Sequence, residues 1–122
     1  MFVCLACYGD RIASLLETAT QLRLYRVDSA VLLRQVDLPG PVHSIGLEAL
    51  LERLLLEQSG VLICGGLACC ARASLHSAGM RVVPWIGGAA DEVAQAWCSG
   101  RIQEFTMPGC GRRWRRCGRQ TK

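Results

Sequence analysis

The sequence predicts one α/β domain built on a mixed sheet, followed by a basic tail, and three observations carry that reading. Short extended apolar runs fill the first 38 residues, helical stripes then alternate with apolar strands, and beyond Ile102 the periodicity stops. Consecutive strands followed by alternating helices and strands imply a sheet that is partly antiparallel and partly parallel, with helices on its faces. A chain of 122 residues suits one core and is short for two. The domain is therefore drawn over 1–104 and a flexible Cys/Arg-rich tail over 105–122.

Phe2 to Tyr8 is an apolar run ending in the turn signal Gly9-Asp10, so a hairpin into a second strand near Arg11 to Leu16 is expected. Gln21 to Val27 and Ala30 to Leu38 repeat the extended pattern around Asp28-Ser29. Pro39-Gly40-Pro41 stops the last of these strands. Ser44 is placed to cap a helix whose stripe is Ile45, Leu47, Leu50, Leu51, Leu54 and Leu55. Val61 to Cys64, bounded by glycines and wholly apolar, reads as a central strand buried on both faces. Gly65-Gly66 leads to a helix near Cys69 to Ser77, and Arg81 to Ile86 forms the next strand. A last helix runs from Ala89 to Ser99, with Gly79 and Gly100 ending the two helices.

Hydrophobic residues make up 51% and charged residues 20%, which excludes global disorder. The apolar start has no basic segment before it and is interrupted by Asp10 and Arg11, and no apolar run approaches a membrane span. A cytoplasmic, soluble protein is expected. Eight cysteines in so regular a chain point to reduced thiols, in the core or as metal or cluster ligands, rather than to a disulfide scaffold. The net charge of +4 is uneven: Arg112, Arg113, Arg115, Arg116, Arg119 and Lys122 close the chain, whereas residues 1–111 carry eight bases and ten acids.

The first candidate location for chemistry is the loop Cys64-Gly65-Gly66-Leu67-Ala68-Cys69-Cys70. It joins the carboxyl end of a buried strand to a helix start, where ligands collect in open α/β sheets and where the helix dipole favours anions and thiolates. Gly65 and Gly66 would bare the backbone to a bulky anion, while Cys69 and Cys70 would donate thiolates to iron or an iron-sulfur unit. Adjacent helical side chains diverge by about 100°, so at most one of the pair faces a ligand. The competing reading makes Cys64 a core residue and gives Cys69 and Cys70 small-residue packing roles. Cys4 and Cys7 lie three apart in a strand and face opposite sides, which favours packing over a shared metal or a disulfide. Cys110 and Cys117 fit no standard zinc spacing. His43 and His76 read as structural or exposed. No catalytic triad order, phosphate loop or carboxylate pair is evident, so the chain is not expected to be an enzyme.

The stretch from Gly60 to Ile102, GVLICGGLACCARASLHSAGMRVVPWIGGAADEVAQAWCSGRI, resembles the second half of the dinitrogenase iron-molybdenum cofactor biosynthesis family. The shared features are the strand into Gly65-Gly66, the small-residue helix, the Ala78-Gly79 to Arg81-Val82-Val83 step, and the helix ending in Gly100-Arg101. Met107-Pro108-Gly109-Cys110 is similar to a cysteine-bearing end found in some members. The resemblance implies a ribonuclease-H-like α/β fold and a nitrogenase accessory role, the binding or carriage of an iron-molybdenum cofactor precursor or a related iron-sulfur species. Where the family has a His-Phe-Gly-Arg-like stretch, this chain has Leu15-Leu16-Glu17-Thr18, so either cysteines such as Cys69, Cys70 and Cys110 take over the histidine's ligation, or the chain has a changed cargo or none. Under this reading the partners are the cluster and a protein that donates or accepts it. The alternative is a nucleic-acid-binding module acting through the Arg-rich tail, with Trp114 stacking on a base. A thiol redox role for the cysteine pairs ranks last.

Overall fold

The computed structural model describes residues 2–57 and 59–107. Strand β1 (Phe2–Tyr8) lies in the middle of the sheet, whose order is β4-β3-β1-β5-β6. On one side it pairs antiparallel with β3 (Gln21–Arg26), which pairs antiparallel with β4 (Leu32–Asp37). On the other it runs parallel to β5 (Ser59–Ile63), and β5 runs parallel to β6 (Arg81–Val83). The sheet is mixed because the early strands follow one another through short turns, whereas β5 and β6 are joined through a helix.

Strand periodicity sorts β1 onto two cores. Cys4 and Ala6 point to one layer, with Leu22, Leu24, Leu62 and Cys64, beneath helices α1 (Val42–Ile45), α2 (Leu47–Leu56) and α3 (Cys69–Ser77). Val3, Leu5 and Cys7 point to the other, with Tyr25, Val61 and Ile63, beneath helix α4 (Ala90–Cys98). Covering both faces removes the polar alternation from β1, which is why its sequence is apolar throughout.

Four elements differ from the sequence expectation. The second strand, β2 (Arg11–Ile12), is two residues long and gives way to a 3₁₀ turn at Leu16–Thr18. The helix drawn from Ser44 is two helices: Gly46, at φ +91°, ends α1 and starts α2, and Ser44 sits inside α1, where it supplies no cap. Strand β6 stops at Val83 because Pro84 has no N–H to donate and Trp85 turns the chain at φ +64°. Past Ile102 the chain continues to pack: a 3₁₀ turn (Ile102–Phe105) rests on the second core, Ile86 bridges Thr106, and the Met107 N–H donates to the Trp85 carbonyl at 2.8 Å. Residues 105–107 therefore belong to the packed body.

Candidate functional site

The loop after β5 is shaped by what lies against it. Cys64 is fully buried, and desolvation raises its thiol pKa to about 12, against a smaller lowering by Arg72. Gly65 and Gly66 meet protein where the sequence reading expected an open backbone. A Cβ at Gly65 would run into the carbonyl oxygens of Ala13 and Ser14, and one at Gly66 would come within 2.7 Å of the Trp85 ring. The Gly66 N–H donates to the Ser14 carbonyl at 2.9 Å, and its own carbonyl accepts the Leu16 N–H at 2.8 Å. The Gly65 carbonyl accepts the Trp85 N–H at 3.0 Å. These glycines thus seal a seam between segment 13–16, the loop and Trp85, and the bulky-anion rationale for them is corrected.

Room for a ligand begins with the next residues, Leu67 and Ala68. Cys69 and Cys70 open α3, both exposed, and Ala68 before them supplies no side-chain cap to the first-turn amides. The two side chains diverge, and Cys70 lines a groove of about 430 Å³ between α3, α1, the start of α2 and the 3₁₀ turn at Leu16. Leu16, Val42, Leu47 and Leu67 form its apolar wall, and Glu17 and His43 also line it. The His43 Nδ1 lies 3.5 Å from Ser44 Oγ. Sequence reasoning missed His43 as a site residue. No local signal marks it, because its place in the groove depends on how α1 packs against α3.

The other thiols stand apart. Cys4 and Cys7 belong to opposite cores, and Cys7 Sγ donates to the Leu5 carbonyl at 3.5 Å. Burial pushes the Cys7 thiol pKa up to about 12, with Arg23 opposing, and pushes that of Cys4 higher still. Cys110, Cys117 and the arginines from Arg112 onward lie outside the described residues. Among the described residues, no three His, Cys, Asp or Glu side chains gather closely enough to hold a bare metal ion. No described helix is long and apolar enough to cross a membrane.

No protein-family model matches the chain, and no curated protein matches it. Solved structures match it in fold. A Thermotoga protein provisionally assigned as NifB superposes with a TM-score of 0.65 at 21% identity, over 82% of this chain and 89% of that one. The apo form of the orange protein from Desulfovibrio gigas gives 0.60 at 16% identity, over 82% and 88%. A Methanocaldococcus jannaschii protein provisionally assigned as a dinitrogenase gives 0.60 at 14%, over 83% and 90%. The fold is the one shared by these proteins, over 82–83% of this chain.

Proposed function

We propose that this chain binds and carries a metal-sulfur cluster in the groove beside Cys70, as an accessory protein and not as an enzyme. The observation that carries the reading is the conjunction of an exposed thiol and an imidazole on the wall of a mostly apolar groove, whose other polar lining residues are Glu17 and Ser74. A bare divalent ion needs three or four protein donors close together, and among the described residues no three gather to hold one. A preformed cluster brings its own sulfides, so one thiolate, one imidazole and an apolar enclosure suffice to hold it. The first-turn amides of α3 add donors and a favourable dipole for an anionic cargo.

In this reading Cys70 is the first ligand and His43 the second, with Cys69 next to Cys70 at the start of α3; Cys110, expected from the sequence as a further ligand, lies outside the described residues. Gly65 and Gly66 act indirectly, by fixing the loop that places Cys70. The cargo class is iron-sulfur or iron-molybdenum-type, its partners are a cluster donor and an acceptor, and the setting is cytoplasmic. Assignment of the mixed sheet to the ribonuclease-H-like folds belongs to the same proposal, supported by three antiparallel strands followed by parallel ones.

Anaerobic reconstitution with iron and sulfide tests it. Visible charge-transfer absorption and stoichiometric acid-labile sulfide are the expected result, with both reduced by Cys70→Ser and, more weakly, by His43→Ala. A colourless protein free of iron overturns the reading.

A further inference from the structure

The sheet has two edges, and β4 is the longer and more open of them. Strand β6 offers three residues and stops at Pro84, whereas β4 runs for six and has no second neighbour among the described residues. Every residue of β4 except Val36 is exposed, two leucines included. The Leu38 N–H donates to the Thr20 carbonyl at 3.0 Å, so Leu38, Val36 and Arg34 direct their backbone groups to β3. Alternation then turns the N–H and C=O of Gln35 and Asp37 outward, to an edge with no strand beside it. Leu33 is the extra residue of a bulge between the pairs Leu24–Arg34 and Tyr25–Leu32, so the regular part of the edge begins at Arg34.

An edge of this kind is a template for another chain unless charge or proline guards it. Strand β4 contains no proline or lysine, and its one base is already engaged, with Arg34 Nη1 lying 3.0 Å from Glu57 Oε1 just past the end of α2. Beside that ion pair is a mostly apolar hollow of about 230 Å³, lined by Phe2, Leu24, Leu33 and Leu56 as well as by Arg34 and Glu57. Leu33 and Leu56 are 43% and 73% exposed, so covering them removes apolar surface from water.

We propose that β4 pairs antiparallel with β4 of a second copy of this chain, about a two-fold axis at Val36. A contact of this symmetry uses one surface twice, and residues directly opposite each other share a face, so the axis passes through a residue. Centring it on Arg34 or on Asp37 sets like charges face to face, which opposes pairing. Centring it on Gln35 calls on the bulged Leu33 for a ladder bond. The Val36 axis avoids both. Gln35 and the partner subunit's Asp37 then exchange backbone bonds, and the Gln35 amide faces that carboxylate as a donor. The same register sets the partner subunit's Leu38 and Pro39 opposite Arg34 and Leu33, at the mouth of the apolar hollow. The paired stretch, 34–38, spans only about 17 Å, so the interface is small and the dimer weak rather than obligate.

Sedimentation velocity of the full-length protein tests this over concentrations from about 1 μM to 1 mM, with reductant present so that disulfide-linked pairs do not form. A reversible monomer–dimer equilibrium is expected, with Kd on the order of 10–100 μM. Gln35→Pro removes an outward N–H and no bond to β3, and should weaken the dimer by about tenfold or more. Gln35→Asp, which faces Asp37 with a like charge, should weaken it several-fold, and Gln35→Lys should tighten it several-fold. Amide hydrogen exchange of the parent chain, followed by NMR, gives a reading that needs no variant: protection at Gln35 and Asp37 should rise with protein concentration. The proposal is overturned by a monomer at every concentration, by a dimer that Gln35→Pro leaves unchanged, or by exchange at Gln35 and Asp37 that ignores concentration. A dimer loosened by Gln35→Lys would overturn the Val36 axis.

Discussion

Among single residues, burial sets five of the described cysteines at two extremes, with Cys98 between them. Cys4, Cys7 and Cys64 are enclosed in hydrocarbon and their thiol pKa values are raised, whereas Cys69 and Cys70 stand in solvent at the start of α3. Thiolate, not thiol, is the alkylated form. Brief iodoacetamide treatment of the native protein near pH 8, read by peptide mass spectrometry, should therefore label Cys69 and Cys70 and spare Cys4, Cys7 and Cys64. Early labelling of Cys64 would contradict the placement. The same raised values make stability depend on pH. A thiol held near 12 in the folded chain but near 9 when unfolded contributes stability that is fully present below pH 9 and is lost as pH rises toward 12. Urea unfolding from pH 8 to 10.5 should show stability falling above pH 9, by up to about 1.4 kcal/mol per pH unit for each such thiol. Cys64→Ala should show a shallower slope, and an unchanged slope would mean that Cys64 is not a source of the effect. The division of Cys4 from Cys7 was legible from strand alternation alone, because positions three apart face opposite ways. His43 was not legible, because its relation to Cys70 depends on how α1 packs against α3, which no local spacing encodes.

For the elements, legibility followed periodicity and failed where single residues interrupt it. The stripe from Leu47 to Leu55 and the apolar run into Ile63 were read in place, since burial on one helical face or on both strand faces leaves a regular signature. Gly46 and Trp85 left none. Each redirects the chain through a positive φ that the surrounding pattern does not announce. The glycines after β5 show the same limit: their presence was evident, but their reason is contact with the 13–16 backbone, a tertiary fact. Gly65→Ala should consequently destabilise the fold by about 2 kcal/mol or more, from overpacking against the Ala13 and Ser14 carbonyls. Chemical denaturation measures this directly. A Gly65→Ala protein as stable as the parent would show the seam to be loose and would return Gly65 to the list of ligand-facing positions.

Across the whole molecule, the mixed sheet puts an antiparallel meander beside a parallel pair and covers both faces, and that architecture was readable from the order of the elements. Its consequence is positional. The loop leaving β5 emerges between two parallel strands, and α1 and α3 frame a groove there with a thiol on one wall and an imidazole among its lining residues. Charge is divided along the chain as well, with a slightly acidic stretch to residue 111 and six bases beyond it, so the proposed anionic cargo would have to be held by α3 amides and Arg-rich sequence rather than by the net charge of the body. The most direct test is the iron and acid-labile sulfide content of protein purified without oxygen, compared between the parent chain and Cys69→Ser/Cys70→Ser. The parent should carry iron and sulfide in near-stoichiometric amount, and the double variant should lose most of both. Equal loading of the two proteins, or none in the parent even after reconstitution, would contradict the account.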